Sequence, residues 1–574
     1  MAMKKHWHLK AYNPESATAL AEVLDISPVT ARILASRGLE TPDSANNFLA
    51  PSLSGMLDPF MMADMKQAVT RLVRVRQQDE PVCIYGDYDV DGITATALLV
   101  SAFSAMGIRA NYHIPHRMED GYGLNREALQ QLADQGYHLV ISVDCGVTAV
   151  EEARLCREIG LDLIITDHHQ PLEQLPDAVA VLNPHRPDCP YPFKGLAGVG
   201  VAFCLLVALR SSLRELGLLN GNEPDLRQWL DLVALGTIAD MVPLTGQNRL
   251  LVSAGLQRMG DGCRTGLAAL KSVSGIKGPV SGGQVGFRLA PRLNAAGRLE
   301  SALPGVELLL TNDPAKAARL AQDLDTANIE RQQVERRIFD EAEALMQLNG
   351  WSDQRFSIVL CSPFWHPGVV GIVASRLVER YFRPAILIAQ NEEGGGKGSG
   401  RSIPGFHLLD ALHASSSHLL RYGGHKAAAG LTVKTDELEA FTTAFEQIAA
   451  LQLADADLTP VLTIDAELAM DDLSLGLVKE IERLAPFGIG NAEPTLLMRN
   501  LRVLEARTVG EGHLKMRLEK DTKIIPAIGW RMAGGPVPTM IDLAGTPEID
   551  TWGGTERLQM RIKGIRPVEG SHGT

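Results

Sequence analysis

Acidic residues follow three short apolar runs and close one helical segment of this 574-residue sequence, and their placement is its strongest chemical signal. Asp87, Asp89 and Asp91 (GDYDVDG) come after Val82-Cys83-Ile84-Tyr85, Asp144 (VDCG) after His138 to Val143, and Asp167-His168-His169 after Leu163 to Thr166. Asp240, in GTIADMVPL, closes a helical segment that begins at Leu230. A single Asp after a strand is ordinarily a helix N-cap or a turn residue. Apolar runs alternating with helical segments, however, are the pattern of parallel strands joined by crossover helices, whose carboxyl ends open on one crevice. The four acid sites would then share a cleft. Spacing by two on an extended backbone would point the carboxylates of Asp87, Asp89 and Asp91 the same way. Like charges so crowded take up protons unless cations neutralise them. Oxygen ligands with one or two imidazoles suit Mg²⁺ or Mn²⁺, the nitrogen favouring Mn²⁺. One ion, or two roughly 3.5–4 Å apart, would activate a water and stabilise the leaving oxygen of a phosphate ester. The expected chemistry is metal-assisted phosphoester hydrolysis by Asp87, Asp89, Asp91, Asp144, His168, His169 and Asp240.

The elements that would position these residues fall into five stretches. Residues 1–75 read as short helices broken at turn signals, with no chemistry. Residues 76–312 carry the strand–helix alternation. Asp313 to Leu348, rich in Ala, Gln and charge, with no Gly and with Pro only at position 314, reads as one connecting helix within 313–350. A second, smaller α/β segment spans 351–455 and contains the Gly-rich run Gly394 to Gly400. From 456 to 574 the pattern is β alternation: Leu514, Met516 and Leu518 against Lys515 and Arg517, then Leu558, Met560 and Ile562 against Arg557, Gln559, Arg561 and Lys563. Those strands would be half buried, with a basic outer face.

A hydrolase acting on a polymer must also hold phosphates. Arg288, Arg292 and Arg298 flank Asn294, and Arg clamps phosphate in bidentate fashion. Between Gly394 and Gly430, Lys397, Arg401, Arg421 and Lys426 face a single acid, Asp410, although the whole chain has 55 Lys and Arg against 68 Asp and Glu, a net −13. That balance argues against a generic basic coat but leaves room for a local field. Gly398, Gly400, Gly423 and Gly424 would let backbone N–H groups cradle phosphate. His366 beside Trp365 would either stack on a base or be packed, and PFGIGN (486–491) reads as a turn without chemistry.

Composition excludes other classes. With 45% hydrophobic and 21% charged residues, the chain is neither disordered nor collagen-like. Its most apolar stretch, Gly198 to Leu209, falls short of the roughly 18 residues of a membrane span. MAMKKHWHLK has no apolar signal region, so the cytoplasm is the expected compartment. Seven cysteines without a Cys-x-x-Cys pair read as reduced, packed thiols.

GDYDVDG, VDCG, TDHH and GTIADMVPL, in this order, resemble the four motifs of the DHH phosphoesterase superfamily. APRLNAAGRL (290–299), WHPGVVGIVASR (365–376), GSGRS (398–402) and GGHKAAAG (423–430) resemble its single-strand DNA exonucleases. The resemblance covers about residues 30 to 566. It implies an α/β fold: a parallel-sheet DHH catalytic domain, a long linking helix, a smaller α/β DHH-associated domain facing it across a cleft, and a C-terminal β-barrel OB-fold. The implied activity is 5′ to 3′ degradation of single-stranded DNA to mononucleotides, in recombination and repair. The metal ligands carried over are Asp89, Asp91, Asp144, His168 and Asp240. Nucleic-acid contacts are expected from Arg288, Arg292, Asn294, Arg298, Lys397, Ser399, Arg401, Gly424, His425, Lys515 and Arg517. A helicase and a single-strand-binding protein are the partners it implies, with no membrane and a monomeric chain. Where small-substrate members have a His four residues before the first metal-binding Asp, this chain has Tyr85, which removes one imidazole ligand.

Two other readings compete. The DHH core alone suits short oligoribonucleotides or cyclic dinucleotides equally, but the chain length, Tyr85 and the basic terminal strands favour a polymer. A non-enzymatic scaffold that had lost its acids is disfavoured because every acid site is present.

Overall fold

The computed structural model describes residues 5–116, 121, 123–219, 221, 223–260, 262–299, 301–391, 394–550 and 555–568. They form two compact units, one from 47–329 with 484–493, the other from the stretch up to 46 with 330–483 and the chain after 494.

A five-stranded parallel sheet centres the first unit, in the order Ala110–His113, Val82–Gly86, Leu139–Val143, Asp162–Thr166, Ala180–Leu182. Val82–Gly86 and Leu139–Val143 are buried throughout. Strands covered on both faces read as continuous apolar runs, which is why they stood out in the sequence. One sheet face packs on the helices Val90–Ala105 and Gly198–Glu215, the other on Arg126–Asp134 and Val150–Glu158. Val90–Ala105 is apolar nearly all round because Gly198–Glu215, Leu230–Ala239 and Leu303–Leu310 also cover it. From Val82–Gly86 the chain winds outward to Ala110–His113, then returns to the opposite side with Leu139–Val143. Winding reverses between those two strands, and open α/β sheets bind ligands over the carboxyl ends at such a point.

In the other unit, Leu419–Gly424, Ala428–Lys434, Gly395–Arg401, Ala385–Gln390 and Ile358–Ser362 form a sheet, antiparallel except for the last pair. The Gly-rich segment is therefore a central strand and not the phosphate-cradling loop expected. Its glycines are needed on the core side: a Cβ at Gly396 would lie 2.6 Å from Ile388 Cγ2, and one at Gly398 2.8 Å from Leu431 Cδ1. Strands Leu496–Val509, His513–Lys520, Lys523–Gly529, Arg557–Pro567 and Met540–Asp550 pair in that order, and the last returns to the first. This closes a five-stranded barrel of OB type. Pro314–Leu348 is one continuous helix of 35 residues that begins in the first unit and ends in this one. The first 75 residues are not helical throughout, because His6–Leu9 forms a strand parallel to Val461–Ile464. Among the described residues no helix is long and apolar enough to cross a membrane.

Candidate active site

Local backbone geometry sets each acidic side chain. Asp89 is the N-cap of Val90–Ala105, and its Oδ1 accepts from Asp91 N at 2.9 Å and Gly92 N at 3.1 Å. The extended run thus ends at Asp89, and the expectation that Asp87, Asp89 and Asp91 point together fails because the helix begins between the last two. Asp91, in the first helical turn, accepts from Gly198 N at 2.6 Å and Val199 N at 2.9 Å. Those are orphan donors at the N-terminus of Gly198–Glu215, where negative charge is favoured. Asp144 follows its strand with φ 63°, and Met241, directly after Asp240, has φ 62°. Left-handed backbone at a non-glycine is held only where its surroundings enforce it, and such strain clusters at functional sites.

The side chains converge. His168 Nε2 lies 3.2 Å from Asp144 Oδ1, 3.4 Å from Asp240 Oδ2 and 3.9 Å from Asp91 Oδ2. Asp87, Asp89 and Asp144 bring oxygens within 4.8 Å of one another, as do the ligand atoms of Asp91, His168 and Asp240 and those of Asp144, His168 and His169. The five expected metal ligands thus occupy one neighbourhood, with Asp87 and His169 beside them.

Electrostatically the group favours a cation. Burial, then the charge of Asp89, pushes the Asp91 carboxyl up to about 7. Burial followed by Asp91 and Asp89 raises Asp240 to about 9, and Asp144 is driven well above the usual carboxylate range by burial and all its acidic neighbours. Burial and the adjacent His169 charge lower His168 to about 4, so it is neutral and its carboxylate contacts are not ion pairs. His168 Nε2 and Asp240 Oδ2 are buried without a hydrogen-bond partner. A neutral imidazole aimed at carboxylate oxygens, with buried ligand atoms left over, fits a divalent cation.

Asp167, which closes its strand but is not among the expected ligands, positions the histidines. Its Oδ1 accepts from His168 N, His169 N and His169 Nδ1 at 2.7, 3.1 and 2.7 Å, and its Oδ2 from Val147 N at 2.9 Å. Burial acts to raise Asp167, but these bonds outweigh it and hold the group below its ordinary value. In return His169 is raised, the Asp167 bond overcoming the cost of burial. An Asp next to a His pair was the available signal.

The arginine-rich helix is tied to this site. Asn294 Oδ1 accepts from Val90 N at 3.2 Å, so its carbonyl is committed to capping the helix that carries Asp91. Arg292 pairs with Asp325 at 2.8 Å and donates to Arg288 O at 2.6 Å, whereas Arg288 is exposed and Arg298 half-buried. PFGIGN is more than a turn: Leu244 N donates to Ile489 O at 2.7 Å, Arg249 Nη1 to Leu484 O at 2.9 Å, and Asn491 Nδ2 to Leu484 O and Pro486 O at 2.8 Å. It backs the chain just after Asp240. The partner residues are far apart in sequence, so no local pattern could reveal this.

The other expected contacts lie in the second unit. Lys397, Ser399 and Arg401 alternate along Gly395–Arg401, and Arg401 Nη1 donates to Ser399 Oγ at 3.2 Å. A Cβ at Gly371, in the first turn of Val370–Tyr381, would meet Ser399 Oγ at 2.7 Å and Arg401 Nη2 at 3.2 Å, so both groups sit at that helix N-terminus. Gly424 (φ 142°) belongs to a tight hairpin turn in which His425 N donates to Ala428 O at 2.8 Å, and His425 is exposed. Trp365 is buried, which settles that residue as packed. On the barrel, Lys515 stands directly opposite Arg507 and Arg517 opposite Glu505. At 557–563 the charge of Arg561 is offset by Glu548 at 3.1 Å, and Lys563 Nζ donates to Thr495 Oγ1 at 3.1 Å. Arg507, which also pairs with Glu505 at 3.4 Å, does not stand out in the sequence because its strand shows no clean alternation.

Comparison with known proteins agrees with this arrangement. Residues 81–237 match the DHH family N-terminal domain, 354–451 the DHHA1 domain and 464–564 the RecJ OB domain. The chain is 42% identical to the single-stranded-DNA-specific exonuclease RecJ of Dickeya dadantii over 88% of each chain. It is 36% identical to that of Escherichia coli over 95% of this chain and 96% of the relative. The crystal structure of Thermus thermophilus RecJ in complex with Mn²⁺ is similar with a TM-score of 0.85 at 32% identity, covering 99% of this chain and 80% of that one, and the Mg²⁺ complex with a TM-score of 0.79. With a DHH, a DHHA1 and a RecJ OB domain in order, and 36–42% identity to RecJ exonucleases over 88–96% of their length, the chain belongs to the RecJ family.

Proposed function

We propose that the protein is a divalent-metal-dependent exonuclease that hydrolyses single-stranded DNA from its 5′ end and releases mononucleotides. The observation that carries this is the meeting of Asp87, Asp89, Asp91, Asp144, His168 and Asp240 at the winding reversal of a RecJ-family chain. Asp87, Asp89 and Asp144 would hold one cation, and Asp91, His168 and Asp240 with Asp144 a second, Mn²⁺ or Mg²⁺ as in the related structures. When bound, the metal supplies an activated water and offsets charge on the phosphodiester.

The chain's own groups do the rest. Gly198 N and Val199 N hold Asp91 in place, and Asp167 fixes the tautomer and orientation of His169. With its raised affinity for a proton, His169 donates to the leaving oxygen. Ser399 and Arg401 at the N-terminus of Val370–Tyr381, with Lys397 alongside, bind phosphates. Lys515, Arg517 and Arg507 give the barrel a positive track for the backbone.

An enzyme restricted to unpaired strands needs them exposed, so a helicase and a single-strand-binding protein are its partners in recombination and repair, and the chain acts as a monomer. Seven cysteines without a disulfide, five of them buried, fit the reducing cytoplasm. The test is mononucleotide release from a 5′-ended single strand with Mn²⁺ or Mg²⁺. Asp144→Ala is expected to abolish release while leaving strand binding nearly intact. Equal attack on intact duplex, or retained cleavage by the variant, would overturn the reading.

A further inference from the structure

Among the described residues Phe287 is the most exposed large apolar side chain, at 87%, and it sits in unusual backbone. Val285–Leu289 is a turn of π-helix that runs directly into Ala290–Leu299. A π-turn carries one residue more than the α-helix would, costs hydrogen-bond geometry, and recurs at functional sites. Single exposed apolar residues are common and by themselves mean nothing, but three contacts fix where this one stands. Gly286 lies against Ile238, whose Cγ2 would be 3.8 Å from a Cβ there, and Ile238 is two residues before Asp240. Asn294, about 10 Å further along the helix at 1.5 Å per residue, bonds Val90 between Asp89 and Asp91. A Cβ at Gly297 would lie 2.8 Å from Tyr88 O, so that end of the helix is pressed on the GDYDVDG loop. Phe287 thus projects into solvent from a helical segment whose Gly286, Asn294 and Gly297 adjoin the elements that carry Asp240, Asp89 and Asp91, with exposed Arg288 next to it and Met241, 68% exposed, directly after Asp240.

We propose that Phe287 is a stacking platform for a nucleobase within roughly one or two nucleotides of the scissile phosphate, with Arg288 taking the adjoining phosphate. This rests on the single-strand exonuclease reading and deepens it. An aromatic face accepts any base, so it would seat the strand without sequence preference. It would also require the base to be unpaired and unstacked, which makes Phe287 a specificity-determining residue for single strands.

The test uses the full chain with Phe287→Ala and Phe287→Trp on a 5′-phosphorylated single strand, intact or with one abasic residue at each of the first four positions. Strand binding is measured by fluorescence anisotropy in chelator, and KM and kcat in Mn²⁺. Phe287→Ala is expected to weaken binding and raise KM about tenfold on the intact strand, the order of one stacked base, with kcat changed less. Phe287→Trp restores both. One abasic position should weaken the wild type equally and cost Phe287→Ala nothing more. A loss that persists undiminished on every abasic strand, or no loss at all, overturns the proposal. Strand binding by the wild type without hydrolysis would overturn the exonuclease reading alone, and no strand binding would overturn both.

Discussion

Asp91, Asp144 and Asp240 keep their protons far above the pH at which an exposed carboxyl loses its own, and this ties stability to pH. In metal-free protein the folded state binds protons that the unfolded chain gives up near pH 4. Their contribution to stability is complete below that pH and is lost as pH rises through the folded values, about 7 for Asp91 and about 9 for Asp240. The melting temperature in chelator should therefore fall between pH 5 and 9, and saturating Mn²⁺ should flatten the decline by replacing the protons. A flat profile in chelator would contradict the crowding argument. Asp167→Asn removes the negative charge that, through its bond to Nδ1, raises His169. It should lower kcat about 10- to 100-fold and move the alkaline limb of the kcat profile to lower pH.

Legibility at this scale was high for the acids that meet around His168, because an Asp after an apolar run can be read without coordinates. It was lower for Asn294, whose type suits a phosphate contact and a helix cap equally well.

Among the elements, the N-terminus of Gly198–Glu215 tolerates little change because it packs directly on Asp144. A Cβ at Gly198 would stand 2.7 Å from Asp144 Oδ1 and 3.0 Å from its Cα. Gly198→Ala should cost about 1–3 kcal/mol by overpacking and lower Mn²⁺ affinity at least tenfold, measured by thermal melting and by metal titration. Parallel strands and the long helix were readable because burial on both faces and an unbroken helical composition each leave a pattern. The Gly-rich strand was not. Alternate glycines look like a flexible loop until the side chains of Ile388 and Leu431 are seen filling the space. The start of Val90–Ala105 was misread for a related reason, since Asp at an N-cap and Asp in an extended run have the same sequence.

Over the whole molecule, a net charge of −13 conceals where positive charge gathers. Arg507 and Lys515 stand directly opposite each other on neighbouring strands, and although Arg507 also pairs with Glu505 at 3.4 Å, the two cations together make a local positive patch that suits a phosphate. Replacing both with Ala should weaken single-strand binding and reduce the slope of log K against log salt by about 0.7 for each phosphate no longer neutralised. An unchanged slope would place the strand elsewhere on the barrel.

The catalytic unit is also discontinuous in the chain, since Arg249 and the Leu484 carbonyl that it grips are 235 positions apart. During synthesis, the loop beyond Asp240 can already pack on Gly195, Phe48 and Gly55, but it lacks its partners at 484–491 until that late piece leaves the ribosome, a delay on the order of tens of seconds. The bonds from Leu244 to Ile489 and from Arg249 to Leu484 are therefore among the last to close in this unit, when translation is nearly finished.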